Sequence, residues 1–114
     1  MYNYVRPHRV NIGLTQKELG YLIGNGDNAR ISKLENGTKT PTLKEIVIFE
    51  LLFDKAISRI FPDLYTKLAN DFLQRLDLFE QHLQENLYSQ TEAEKLAAIR
   101  KVRHEIAKEN EGRI

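Results

Sequence analysis

The side chains best suited to chemistry lie between Asn28 and Asn36. If Ile31 and Leu34 face a core, the advance of about 100° per helical residue turns Ala29, Ser32, Lys33 and Asn36 outward. Asn28 and Arg30 flank that face. These residue types suit the edges of base pairs. A basic side chain donates to guanine, a carboxamide bridges adenine, a serine adapts to either, and an alanine methyl meets the thymine methyl. Asn28, Ala29, Arg30, Ser32 and Lys33 are thus expected at bases. Gln16, Lys17, Asn36, Lys39 and Lys44 are expected at phosphates, contacts that set register and affinity rather than sequence preference.

Other chemistry finds little support. His8, His82 and His104 stand far apart in the chain, with no His-Glu-x-x-His and no cluster of metal-ligand spacing. Ser32 and Ser58 have no evident catalytic partners. Gly24 and Gly26 lack the preceding strand and third glycine of a dinucleotide loop. The chain contains no cysteine, which excludes disulfides and thiolate metal sites. No catalytic residue, metal or cofactor is expected.

Punctuation predicts the elements that hold the outward face. Thr15 and Glu18, Thr42 and Glu45, and Thr91 and Glu94 each have the spacing of a capping box and precede a helical apolar pattern. A short first helix is expected over Pro7–Ile12, ended by Gly13. The second, from Thr15, should bury Leu19, Leu22 and Ile23. Gly24, Asn25, Gly26 and Asp27 make a turn, and a third helix follows from about Asn28 to Asn36, ended by Gly37. The fourth starts at Thr42 with Ile46, Phe49 and Leu52 inward, and a fifth covers Ala56–Phe61.

Beyond Pro62 the pattern changes. Tyr65, Ala69, Phe72, Leu76, Phe79 and Leu83 recur at spacings of 4, 3, 4, 3 and 4, a heptad seam widened by Leu68, Leu73 and Leu87. It predicts one long helix, then a charged one from Thr91 to about Asn110 that folds back as a helical hairpin. Residues 109–114 are expected to fray. The seam has two readings, a core within the hairpin or a dimer or partner surface at Phe72, Leu76, Phe79 and Leu83. Exposure of Phe79 and Leu87 would separate them.

Composition agrees with a small helical protein. Hydrophobic residues make up 41% of the 114, and no stretch approaches the roughly 20 apolar residues of a membrane span. The start shows no signal-peptide pattern, so a cytoplasmic location is expected. Residues 1–62 carry nine Lys/Arg against six Asp/Glu; residues 63–114 carry eight against ten. A basic front and an acidic rear suit a DNA-facing domain at 1–62 and a protein-facing one at 63–114.

Arg9, the run Gly13-Leu14-Thr15-Gln16-Lys17-Glu18-Leu19, Gly24, the run Ile31-Ser32-Lys33-Leu34-Glu35-Asn36-Gly37, and Pro41 together resemble the Xre/Cro-like, phage-repressor family of helix-turn-helix transcriptional regulators. The resemblance covers about residues 4–62. It implies an all-α chain with a five-helix DNA-binding domain, a homodimer on a palindromic operator, Gln16 at a phosphate, and Lys33 and Asn28 near bases. It also implies that Arg9 pairs with Glu35 to brace the first helix against the third. The turn from Gly24 to Arg30 is one residue longer than the commonest family spacing, which leaves the start of the reading helix open. The rival reading is a protein-interaction module, antitoxin-like or an adaptor, whose rear hairpin binds a protein partner.

Overall fold

Residues 1–111 are described by the structure, a computed structural model. Among them the chain is all-helical and has no strand. The helices are α1 (Val5–Asn11), α2 (Gln16–Leu22), α3 (Asn28–Glu35), α4 (Leu43–Phe53), α5 (Ile57–Ile60), α6 (Pro62–Glu85) and α7 (Gln90–Glu111). Contacts divide the chain into two compact units, Met1–Lys67 and the residues from Leu68 onward. No helix among the described residues is long and apolar enough to cross a membrane. Helix α7 continues through Glu111, where a frayed end was expected; that expectation at residues 112–114 lies outside the described residues.

Two of the three capping boxes form. The Glu18 amide donates to the Thr15 hydroxyl at 3.1 Å, and the Thr15 amide donates to the Glu18 carboxylate at 2.9 Å. The same exchange joins Thr42 and Glu45 at 3.2 and 2.8 Å. The third does not cap. Helix α7 already begins at Gln90, with the Ser89 hydroxyl on Glu92, so Thr91 falls inside the first turn. Helix α1 also starts early, at Val5, because the Asn3 side chain accepts from the Val5 amide at 3.1 Å. Pro7 still falls in the first turn, where the missing N–H has no helical partner to lose.

The first unit closes around Leu19 of α2, Ile23 just past its end, Ile31 and Leu34 of α3, and Phe49 and Phe53 of α4. Ile46 and Leu52 are only half-buried, and Leu43, Val47 and Leu51 form an exposed stripe on α4. Leu22, expected inside, is exposed, and Gly20 is buried in its place. Here α2 meets the turn before α3: a Cβ on Gly20 would lie 2.5 Å from the Asp27 carbonyl oxygen. That oxygen belongs to backbone and cannot swing aside.

Gly20→Ala is therefore expected to lower stability by about 1–2 kcal/mol. Overpacking costs about 1–3 kcal/mol, and the better helix propensity of alanine offsets about 1 kcal/mol of it. Thermal unfolding checks the sign. A midpoint at or above that of the unsubstituted chain would mean that the two helices part freely.

Candidate nucleic-acid interface

Helix α3 is held at both ends. The Ala29 amide donates to the Asp27 carboxylate at 2.9 Å, which caps the start. The two glycines of the preceding turn have φ of 87° at Gly24 and 69° at Gly26, and the Asn25 and Gly26 amides both donate to the Gly20 carbonyl at 3.0 Å. Positive φ suits glycine because it has no Cβ to clash. At the far end Asn3 donates to the Leu34 carbonyl at 2.8 Å, and the Thr38 amide donates to the Asn36 side chain at 3.0 Å.

Ile31 and Leu34 are fully buried. Their burial fixes the helix's rotation, and Asn28, Ala29, Ser32, Lys33 and Asn36 are all exposed. Arg30 is turned elsewhere. Its guanidinium makes a two-pronged contact with Glu45 on α4 at 2.9 and 2.6 Å and donates to the Thr40 carbonyl at 3.0 Å. A fork spent this way ties α3 to α4 and is not free for a guanine edge.

Glu35 collects three donors. Arg9 Nε and Nη2 reach it at 2.6 and 3.3 Å, and Gln16 Nε2 at 3.0 Å. Arg9 also donates to the Leu14 carbonyl at 2.8 Å. The pair implied by the family resemblance is thus made, with Gln16 added to it. The Gln16 amide nitrogen carries two hydrogens, so one remains for another acceptor. Arg6, Arg9, Gln16, Ser32, Glu35 and Asn36 line an open cleft of about 480 Å³. Arg6 escaped the sequence reading. Its signal was the three-residue step to Arg9, which puts both on one side of α1.

The remaining phosphate candidates are exposed cations. Lys17 lies in the first turn of α2, and the Lys39 amide donates to the Lys33 carbonyl at 3.2 Å. Lys44 Nζ lies 2.6 Å from the place a Gly24 Cβ would take, against the turn before α3. Asp27 acts as a cap and Glu35 is neutralised by Arg9, so no free carboxylate of α3 or its cap stands on the outward face.

Glu45 is 6% exposed. Burial works to raise its pKa, but the Arg30 hydrogen bonds, the Thr42 amide and the Arg30 charge outweigh it and hold the carboxyl below its ordinary range. In the second unit Leu76 and Leu83 are buried, whereas Phe72 and Phe79 remain 46% and 44% exposed and Leu87 49%. Two of the four expected interface residues are therefore spent within the chain. No group of side chains suited to a metal ion occurs among the described residues. No protein-family model matches this chain, and no curated protein or solved structure matches it either.

Proposed function

We propose that the chain is a sequence-specific DNA-binding transcriptional regulator whose first five helices form an Xre/Cro-like helix-turn-helix domain. In this reading α3 enters the major groove, presenting Asn28, Ala29, Ser32 and Lys33 to base edges. Gln16, Lys17, Asn36, Lys39 and Lys44, joined by Arg6, grip the flanking phosphates. Arg30 and the Arg9–Glu35 pair brace the reader. As a homodimer the protein places two copies of α3 about 34 Å apart, so its operator is an inverted repeat.

One observation carries the reading: the outer face of α3 is exposed, carries no unpaired carboxylate, and borders a cleft lined by Arg6, Gln16 and the Arg9–Glu35 pair. A core helix would not keep five polar or small positions on one open side, and an acidic surround would repel the backbone.

Lys33→Ala is expected to lower affinity for the preferred duplex by about 1–3 kcal/mol and to relax its sequence preference. Gln16→Ala weakens every duplex alike. Fluorescence anisotropy on selected and scrambled duplexes, at several salt concentrations, separates the two. Equal losses from both variants on both duplexes would defeat base reading by α3.

A further inference from the structure

The pair α6 and α7 runs antiparallel beyond Leu68. Glu80 accepts from Arg100 at 2.8 Å and also meets Arg103, which reaches Asp77 at 2.8 Å. A residue of α6 thus lies level with the α7 residue as far beyond Arg100 as it lies before Glu80. Only Leu76, Leu83 and Leu96 are buried among the described residues of this unit. A unit of fewer than fifty residues with so small a core commonly draws on a disulfide, a metal or association for its stability. The chain has no cysteine, and no metal-holding group occurs among the described residues. Association with a second surface would enlarge that core.

Helix α6 carries an inner apolar line and, beside it, a line of mixed apolar and polar residues. Leu76 and Leu83 face α7. Leu68, Phe72, Arg75, Phe79 and His82, again at spacings of 4, 3, 4 and 3, flank that line on one side, about 40–100° around the helix, and are exposed. Helix α7 has a matching second line, Lys95, Ala98, Val102 and Glu105, about 100° from its own inner line in the same rotational sense. Because the helices run in opposite directions, equal rotations bring both lines to one side of the pair. A groove of about 310 Å³ lined by Phe79, His82 and Lys95 joins the two lines independently. Adjoining contact lines, one toward each neighbour, are what a helix of a four-helix bundle carries.

We propose that this face docks a second copy of itself, α6 of each copy against α7 of the other, closing an all-antiparallel four-helix bundle. A two-fold axis parallel to the helices sets Phe79 against Val102 of the second copy and Arg75 against Glu105. Neither Arg75 nor Glu105 has an ion-pair partner within the described chain. By symmetry the new pair forms twice, and this match selects the chain's own copy over an unrelated partner. Faces about 30 Å long and two helices wide bury about 800 Å² each, the size of a standard stable interface. The bundle supplies the dimer that the DNA-binding reading needs, yet it is measured without DNA, so either can fail alone.

Sedimentation equilibrium of the full chain tests it. The unsubstituted protein is expected to be a dimer; Phe79→Glu should raise its dissociation constant roughly 100-fold and Arg75→Glu roughly 10-fold. Adding Glu105→Arg to Arg75→Glu should restore association. Leu51→Glu, on the exposed stripe of α4, should leave it unchanged. Circular dichroism guards against a Phe79→Glu variant that simply unfolds, in which case the charge-reversal pair decides. A monomeric unsubstituted chain, a dimer indifferent to Arg75→Glu, or a dimer lost on Leu51→Glu would each overturn the bundle.

Discussion

Glu35→Ala is expected to reduce the unfolding free energy by about 3–5 kcal/mol, the cost of leaving one member of a buried ion pair without its partner. The Arg9 side chain is 11% exposed and that of Glu35 6%, so the pair is largely withdrawn from water although it lines the cleft. Removing it strands the Arg9 Nε and Nη2 donors and the Gln16 amide together, and leaves the guanidinium only the Leu14 carbonyl. Against a total of about 5–15 kcal/mol for a small domain, that loss is large. The expectation concerns the stranded cation and not the pair's net worth. Replacing both partners, as Arg9→Met with Glu35→Leu, should therefore cost far less than Glu35→Ala alone. Urea unfolding of Glu35→Ala and of the double variant measures the difference. A Glu35→Ala loss below about 1 kcal/mol would show that Arg9 finds water at little cost.

The contrast between Arg9 and Arg30 shows what could be read before the fold was known. The outward face of α3 follows from Ile31 and Leu34 alone, because helical rotation is a local property. The Thr15 and Thr42 boxes are local too. Thr91 misleads since Ser89, two residues earlier, offers the same hydroxyl beside Glu92. Arg30 looked like a base reader because its partner Glu45 is fifteen residues away on another helix. Glu45 itself was already assigned as a cap, and nothing local announces a second role. On α2 the buried arc runs from Leu19 past Ile23 to Gly20, which leaves Leu22 on the other side at about 60° from Leu19. The unused signal there was Gly20, a mid-helix glycine, which usually has a packing reason. Asp54 ends α4 in the left-handed region, φ 52°, without the glycine that would have marked it.

Glu45 gives the second large effect, and its pH dependence distinguishes it. One of its oxygens takes the Thr42 amide at 2.8 Å and Arg30 at 2.6 Å, while the other takes Arg30 Nε at 2.9 Å. Glu45→Ala removes the cap and strands Arg30. Because the Arg30 side chain keeps 22% exposure, the cost belongs at the lower end for a buried pair, about 3 kcal/mol. The carboxyl's folded pKa lies below the ordinary glutamate value of 4.5. A depressed carboxylate stabilises the fold fully at pH above its unfolded value and loses that contribution as pH falls through the folded one. The stability gap between the unsubstituted chain and Glu45→Gln, which keeps the shape but not the charge, should therefore be widest at neutral pH. It should shrink once the pH drops below 4.5, as Glu45 takes up a proton and stops attracting Arg30 as an anion. Chemical unfolding at a series of pH values follows the gap directly. A constant gap from neutral to acid would mean that Glu45 holds α3 against α4 through its shape alone. The charge on Arg30 would then be idle in the fold and free to be drawn toward DNA.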